Sequence, residues 1–187
     1  LTTKDVDVNL YYDPVTVHVD TTQIAAVVRD GVIPFNFGMF NDAISKLFTQ
    51  SKDPSAKYLI EKGYDVIDYG TYSKDRTDYT KYGFILGENV SNKTVEYGIA
   101  ICGSAVGISV ACNKVKGVRC GKINTVKEAI HAKENDFVNI IAISGESDFE
   151  NNTKIVDAFL NAKENLSDPA YKSRVDQITK YEDTNEY

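Results

Sequence analysis

The chain has 187 residues, 42% hydrophobic and 26% charged, with a formal net charge of −6. That length suits one domain with a real core and is short for two. The acidic balance argues against nucleic-acid binding, which needs clustered Lys and Arg, and no apolar run approaches the roughly 18 residues of a membrane span.

Val15, Val17 and Val19 alternate after Asp13-Pro14, predicting a β-hairpin or two short strands within residues 6–19. Residues 1–23 are thus read as an N-terminal β extension. Residues 24–28 are continuously apolar, as in a strand covered on both faces, and Asp30-Gly31 ends them. Phe40, Ile44, Leu47 and Phe48 keep helical spacing. Asp53-Pro54 fits a break and a restart with Pro54 at the first helical position. Ala56, Leu59 and Ile60 continue the apolar face until Gly63, a predicted C-terminal cap. A short strand is expected over residues 64–69. Helices are then predicted at 79–90, 106–114, 125–133, 152–162 and 169–181, with strands at 97–102, 118–123 and 139–144. Strands alternating with helices of this length imply βαβ units and a parallel sheet. Residues 24–181 read as a single domain, and residues 182–187 as a frayed acidic tail.

Three cysteines, at positions 102, 112 and 120, sit in or near these elements. An odd number fits reduced thiols in a reducing compartment better than a disulfide framework. No signal peptide is visible, so a cytoplasmic location is expected. Asn92-Lys93-Thr94, Asn151-Asn152-Thr153 and Asn165-Leu166-Ser167 match the glycosylation pattern, which means little without such a signal.

The most informative stretch is Gly98-Ile99-Ala100-Ile101-Cys102-Gly103-Ser104-Ala105-Val106-Gly107. An apolar strand ends on a cysteine, and a small-residue turn opens a helix. It is not a phosphate loop, because no Gly-Lys-Ser/Thr follows, and not a dinucleotide fingerprint, because the second close glycine is missing. A phosphatase loop needs an arginine where Ile108 stands. No CxxC pair or histidine cluster supports a metal site, and none is expected. Two readings of Cys102 remain: a thiolate at a helix N-terminus acting as a base, or a small buried residue ending a core strand.

Cys102-Gly103-Ser104-Ala105-Val106-Gly107, followed by Ala111-Cys112-Asn113-Lys114-Val115-Lys116-Gly117-Val118-Arg119, resembles the Cys-Gly-Thr-Gly-x-Gly … Ala-Asn-Lys-x-x-Gly-x-Arg block of type B ribose-5-phosphate isomerases and galactose-6-phosphate isomerase subunits. Lys62-Gly63-Tyr64-Asp65-Val66-Ile67-Asp68-Tyr69-Gly70, Arg76-Thr77-Asp78-Tyr79 and Arg174-Val175-Asp176-Gln177-Ile178 match the same family in order, so the likeness covers roughly residues 57–181. It implies an α/β fold, a three-layer Rossmann-like parallel sheet of about five strands flanked by helices. It also implies dimers or tetramers with active sites shared between subunits, and possibly a mixed oligomer with a paralogous chain. The implied reaction interconverts aldose and ketose phosphates through a cis-enediolate, without cofactor. Cys102 would be the base, with Ser104 beside it. Gly103, Ala105, Val106 and Gly107 would form the oxyanion and sugar-binding turn. Tyr79 would touch the substrate and Arg174 its phosphate.

Several positions depart from that pattern. The opening Ser-Asp-His-Ala-Gly has Val28-Arg29-Asp30-Gly31 as its nearest counterpart, keeping Asp30 as a candidate but no histidine. The ring-opening His-Asn pair falls on Glu134-Asn135, leaving Asn135. Two phosphate arginines fall on Glu146 and Ala170, and the second glycine of the turn is Ala105. Two expectations follow. The first is a sugar-phosphate isomerase, on ribose 5-phosphate or galactose 6-phosphate. The second is a catalytically silent relative that binds a small metabolite or assembles with an active partner.

Overall fold

Ile140, Ile141, Ala142 and Ile143 are each fully buried, because they form the middle strand of a parallel sheet covered on both faces. The computed structural model describes residues 27–28, 54–70 and 77–187. The expected hairpin, the extension over residues 1–23, the helical face from Phe40 to Phe48 and Asp30 lie outside the described residues.

The chain divides into two units, Leu1–Thr77 and Asp78–Tyr187. In the first, β1 is Val27–Val28 and α1 is Pro54–Glu61. Pro54 opens α1, Ala56 and Leu59 are its buried residues, and Gly63 closes it at φ 87°. The Gly63 and Tyr64 amides donate to the Ile60 and Leu59 carbonyls, as a left-handed cap requires. Residues 64–70 are not a strand. Val66 and Ile67 are buried, but the backbone joins no ladder there, and a strand is defined by its ladder.

The second unit runs α2 (Tyr79–Ser91), β2 (Tyr97–Cys102), α3 (Val106–Cys112), β3 (Cys120–Lys122), α4 (Val126–Asp136), β4 (Ile140–Ser144), α5 (Phe149–Asn161) and α6 (Pro169–Thr184). Its strands lie in the order β2-β4-β3, with β4 parallel to both neighbours. The register sets Gly98 beside Ile140 and Cys102 beside Ser144. Helices α2 and α3 pack on each other and on β2, while α4 packs on α5 and α6. The α/β expectation thus holds, with three strands among the described residues of this unit.

Local chemistry explains the helix starts. Thr125 accepts the Glu128 amide at 3.1 Å, and the Glu128 carboxylate reaches back to the Asn124 amide at 2.7 Å. Asp148 caps α5 through the Asn151 amide, and Asp168 caps α6 ahead of Pro169. The tail expected to fray is instead helical through Thr184. Glu182 accepts the Gly117 amide at 3.0 Å, and Asp183 pairs with Lys116 at 2.5 Å.

Gly83 and Gly87 form a flat strip on α2. A Cβ on Gly83 would come within 2.8 Å of the Ala111 Cβ, and one on Gly87 within 2.8 Å of a Val115 methyl. The bare backbone is what lets α3 approach so closely.

Lys133 breaks the polar pattern of α4. Its residue is 3% exposed and its ammonium lies 3.6 Å from the Tyr97 ring centroid, with Phe159 behind at 5.7 Å. Burial pulls its pKa below the ordinary 10.5, against the smaller opposing pull of Glu164 and Glu96. The unfolded chain therefore binds more protons than the folded one between the lowered value and 10.5, and stability rises with pH across that window. Urea unfolding at about pH 7 and about pH 10 checks this. Lys133→Met is expected to shrink the alkaline gain, and an equal gain in both proteins would exclude Lys133 as its source.

Candidate active site

β2 carries its chain to the carboxyl edge of the sheet and stops at Cys102, which is half-buried. Its carbonyl accepts the Gly145 amide at 2.9 Å, so the strand end is fixed to the end of β4. Gly103 and Ser104 are exposed, and the Val106 amide donates to Ser104 Oγ at 3.4 Å. Ala105 is fully buried and caps α3 at φ 64°, the left-handed region where a methyl-bearing residue is strained. The position that carries glycine in the resembled motif does need glycine-like geometry, and this chain meets it with alanine. Val106 is exposed. Of the first-turn amides of α3, Val106 is held by the Ser104 hydroxyl and Ser109 donates to the Ala105 carbonyl at 3.2 Å.

Tyr79, the first residue of α2, reaches the turn. A Cβ on Gly107 would lie 2.5 Å from Tyr79 Cζ and 2.8 Å from its hydroxyl, so the phenol end rests on the glycine. The tyrosine is 44% exposed, leaving one side of its ring open. Cys102, Ser104, Gly103, Ala105, Val106, Gly107 and Tyr79 therefore share one edge of the sheet.

Two further residues belong here. Ser144, opposite Cys102 in the register, donates its hydroxyl to the Gly103 carbonyl, and Asn152 holds the Ser144 carbonyl from α5 at 2.9 Å. Glu146 lies over the turn: a Cβ on Gly103 would be 3.0 Å from its Oε1. Sequence spacing alone hid Ser144, because only the pairing of β2 with β4 makes the two strand ends neighbours. The available signal was the general rule that parallel strands end together at the ligand-binding edge.

Asn135 and Arg174 are placed elsewhere. Asn135 lies near the C-terminus of α4, just ahead of β4, at the sheet edge opposite Cys102. Arg174 is exposed on α6, its guanidinium carbon 5.7 Å from the Tyr171 ring centroid. Neither is joined to the turn by a hydrogen bond or ion pair among the described residues. No cluster of three or more His, Cys, Asp or Glu suited to a metal occurs among them either. None of the described helices is long and apolar enough to cross a membrane.

The profile of a family described as Ribose/Galactose Isomerase matches residues 46–178. The chain belongs to the ribose/galactose isomerase family. Among its curated relatives, the galactose-6-phosphate isomerase subunit LacB of Clostridium acetobutylicum is 41% identical over 112 residues, covering 58% of this chain and 63% of that one. Ribose-5-phosphate isomerase B of Escherichia coli is 36% identical over 126 residues, covering 67% of this chain and 83% of the relative. Among solved structures, ribose-5-phosphate isomerase B from Mycoplasma genitalium with bound ribulose 5-phosphate superimposes with a TM-score of 0.67 at 33% identity. That match covers 73% of this chain and 90% of the other. The family assignment fits the parallel sheet and the cysteine turn already described.

Proposed function

We propose that the chain is an aldose–ketose isomerase of sugar phosphates, with Cys102 as the base. The observation that carries this is the meeting of the half-buried Cys102, the strained turn and the Tyr79 phenol at one strand-end edge. The relatives' names supply the substrate class: ribose 5-phosphate or galactose 6-phosphate.

In the proposed step the Cys102 thiolate removes the proton on C2 of the open-chain aldose. The C–H electron pair forms the C1–C2 double bond, and the carbonyl pair moves onto O1. The resulting enediolate oxygen is held by turn amides, which serve where charge develops. The proton on sulfur returns to C1, the O2 proton passes to O1, and the ketose carbonyl forms at C2. Atoms and charge balance without an added oxidant or reductant. Ser104, exposed beside the thiol, is suited to carry the hydroxyl proton.

Asn135 and Arg174 fit this reading if a second copy of the chain brings them to the turn, which makes the working unit a homo-oligomer or a mixed one with a paralogous subunit. Light scattering on the purified chain tests that. A monomer with full turnover would remove any shared site.

The experiment that tests the function is a coupled assay on both sugar phosphates. Turnover of either supports it. No turnover, with no thermal shift from either phosphate, favours a silent binding or assembly role. Glu146 is the observation that favours this rival, because a carboxylate over the turn opposes an anionic ligand. The same residue yields a prediction. Glu146→Gln is expected to raise kcat/KM roughly three- to fivefold at low salt, with the gain fading at high salt. A fall instead would show that the carboxylate takes part in proton transfer.

A further inference from the structure

Ser144 closes β4 and is tied to three parts of the unit at once. Its hydroxyl donates to the Gly103 carbonyl and accepts the Glu146 amide at 3.2 Å. Its carbonyl accepts the Ser147 amide at 3.2 Å and the Asn152 side-chain amide at 2.9 Å. Asn152 is 8% exposed and stands in the first turn of α5. The end of β4, the start of α5 and the turn after Cys102 are thus joined through one small side chain.

A bond to a carbonyl also fixes the amide of the same peptide, because a trans peptide is planar and its C=O and N–H point in opposite directions. Two consecutive peptides of the turn are held in this way from the end of β4. The Gly145 amide takes the Cys102 carbonyl at 2.9 Å, and the Ser144 hydroxyl takes the Gly103 carbonyl. The amides of Gly103 and Ser104 are therefore both turned away from that strand end. Neither meets a hydrogen-bond acceptor among the described residues. Successive amides of this kind form a concavity that favours an anion. The first anchor is backbone, whereas the second is a side chain and can be removed by substitution.

We propose that Ser144 is a positioning residue for the isomerisation: by holding the Gly103 carbonyl it aims the Ser104 amide at the enediolate oxygen. The proposal rests on the isomerase reading given above. The Ser144 hydroxyl hydrogen is committed to a carbonyl, so the residue acts through the peptide and not as a proton carrier. Its contribution grows as charge develops on the oxygen, and it therefore falls on kcat and not on KM.

The test compares Ser144→Ala and Ser144→Thr with the parent in the full chain, by steady-state kinetics on both sugar phosphates and by amide relaxation in NMR. Ser144→Ala is expected to lower kcat by roughly 5- to 20-fold, a part of the 10²- to 10³-fold that a whole oxyanion donor is worth, with KM within about twofold. The Ser104 amide order parameter should fall from the rigid value of about 0.85 toward about 0.6, while amides within β2 keep theirs. Ser144→Thr retains the hydroxyl and should restore both readouts. The same fall in kcat is expected in the Glu146→Gln background, since it does not pass through the carboxylate. A merely structural role would instead raise KM, lower Tm and loosen β2 and β4 together, and that pattern would overturn the proposal. An unchanged kcat or an unchanged Ser104 order parameter in Ser144→Ala, with an active parent, would overturn the positioning role alone. No turnover by the parent chain would overturn the isomerase reading and this role with it.

Discussion

Cys102→Ala is expected to lower kcat on the active sugar phosphate by about 10²- to 10⁴-fold, the usual loss when a positioned base is removed. KM should change much less, since a thiol contributes little to holding a polyol phosphate. Folding should be nearly untouched, because Cys102 is half-buried at a strand end and its backbone bond to Gly145 survives the substitution. A melting temperature close to that of the parent, beside the lost turnover, separates chemistry from structure. Wild-type turnover in the variant would end the assignment of Cys102 as base, and attention would pass to Glu146 and Ser104, the other proton-carrying groups at the turn.

The second large effect is on stability. Gly83→Val places branched carbons where even one Cβ would lie 2.8 Å from the Ala111 Cβ, an atom fixed to the α3 backbone. Neither helix can yield by turning a side chain. Overpacking of this kind costs about 2–3 kcal/mol, enough to lower Tm by roughly 5–10 °C in a chain of this size. Gly83→Ala should cost less, about 1 kcal/mol, because alanine's helix propensity offsets part of the clash. Thermal or urea unfolding of the two variants against wild type measures both. An unchanged Tm for the valine variant would show that α2 and α3 are not held as close as the two glycines indicate.

Much of the second unit could be read from the chain before its structure. β2 ends on Cys102 and α3 starts on Val106 as expected, because a run of small and apolar residues broken by Gly-Ser-Ala has few other shapes. Gly63 closes α1, as expected, because a left-handed cap favours glycine. Other features depend on which strands become neighbours. β4 sits between β2 and β3 although it follows both in the chain, and that order alone places Ser144 and Glu146 beside Cys102. Asn135 lies at the opposite edge for a different reason: α4 returns the chain to the start of β4. Residues 64–69 read as a short strand, yet a short apolar pair reports burial and not a ladder, and Val66 and Ile67 are buried without one. Lys133 misleads for the opposite reason: its charge marks a solvent face, while Tyr97 supplies an aromatic substitute for water. The acidic end of α6 looked loose because its partners, Lys116 and the Gly117 amide, are more than 60 residues away in sequence.

Ala105 has a consequence beyond its strain. A glycine there would sample many backbone shapes, whereas an alanine with its methyl fully enclosed at φ 64° has essentially one. The bend behind the thiol is therefore restricted to one backbone shape in the absence of any ligand. If the turn amides hold an enediolate as proposed, that rigidity spares the ordering cost on binding and favours one charged species over varied guests.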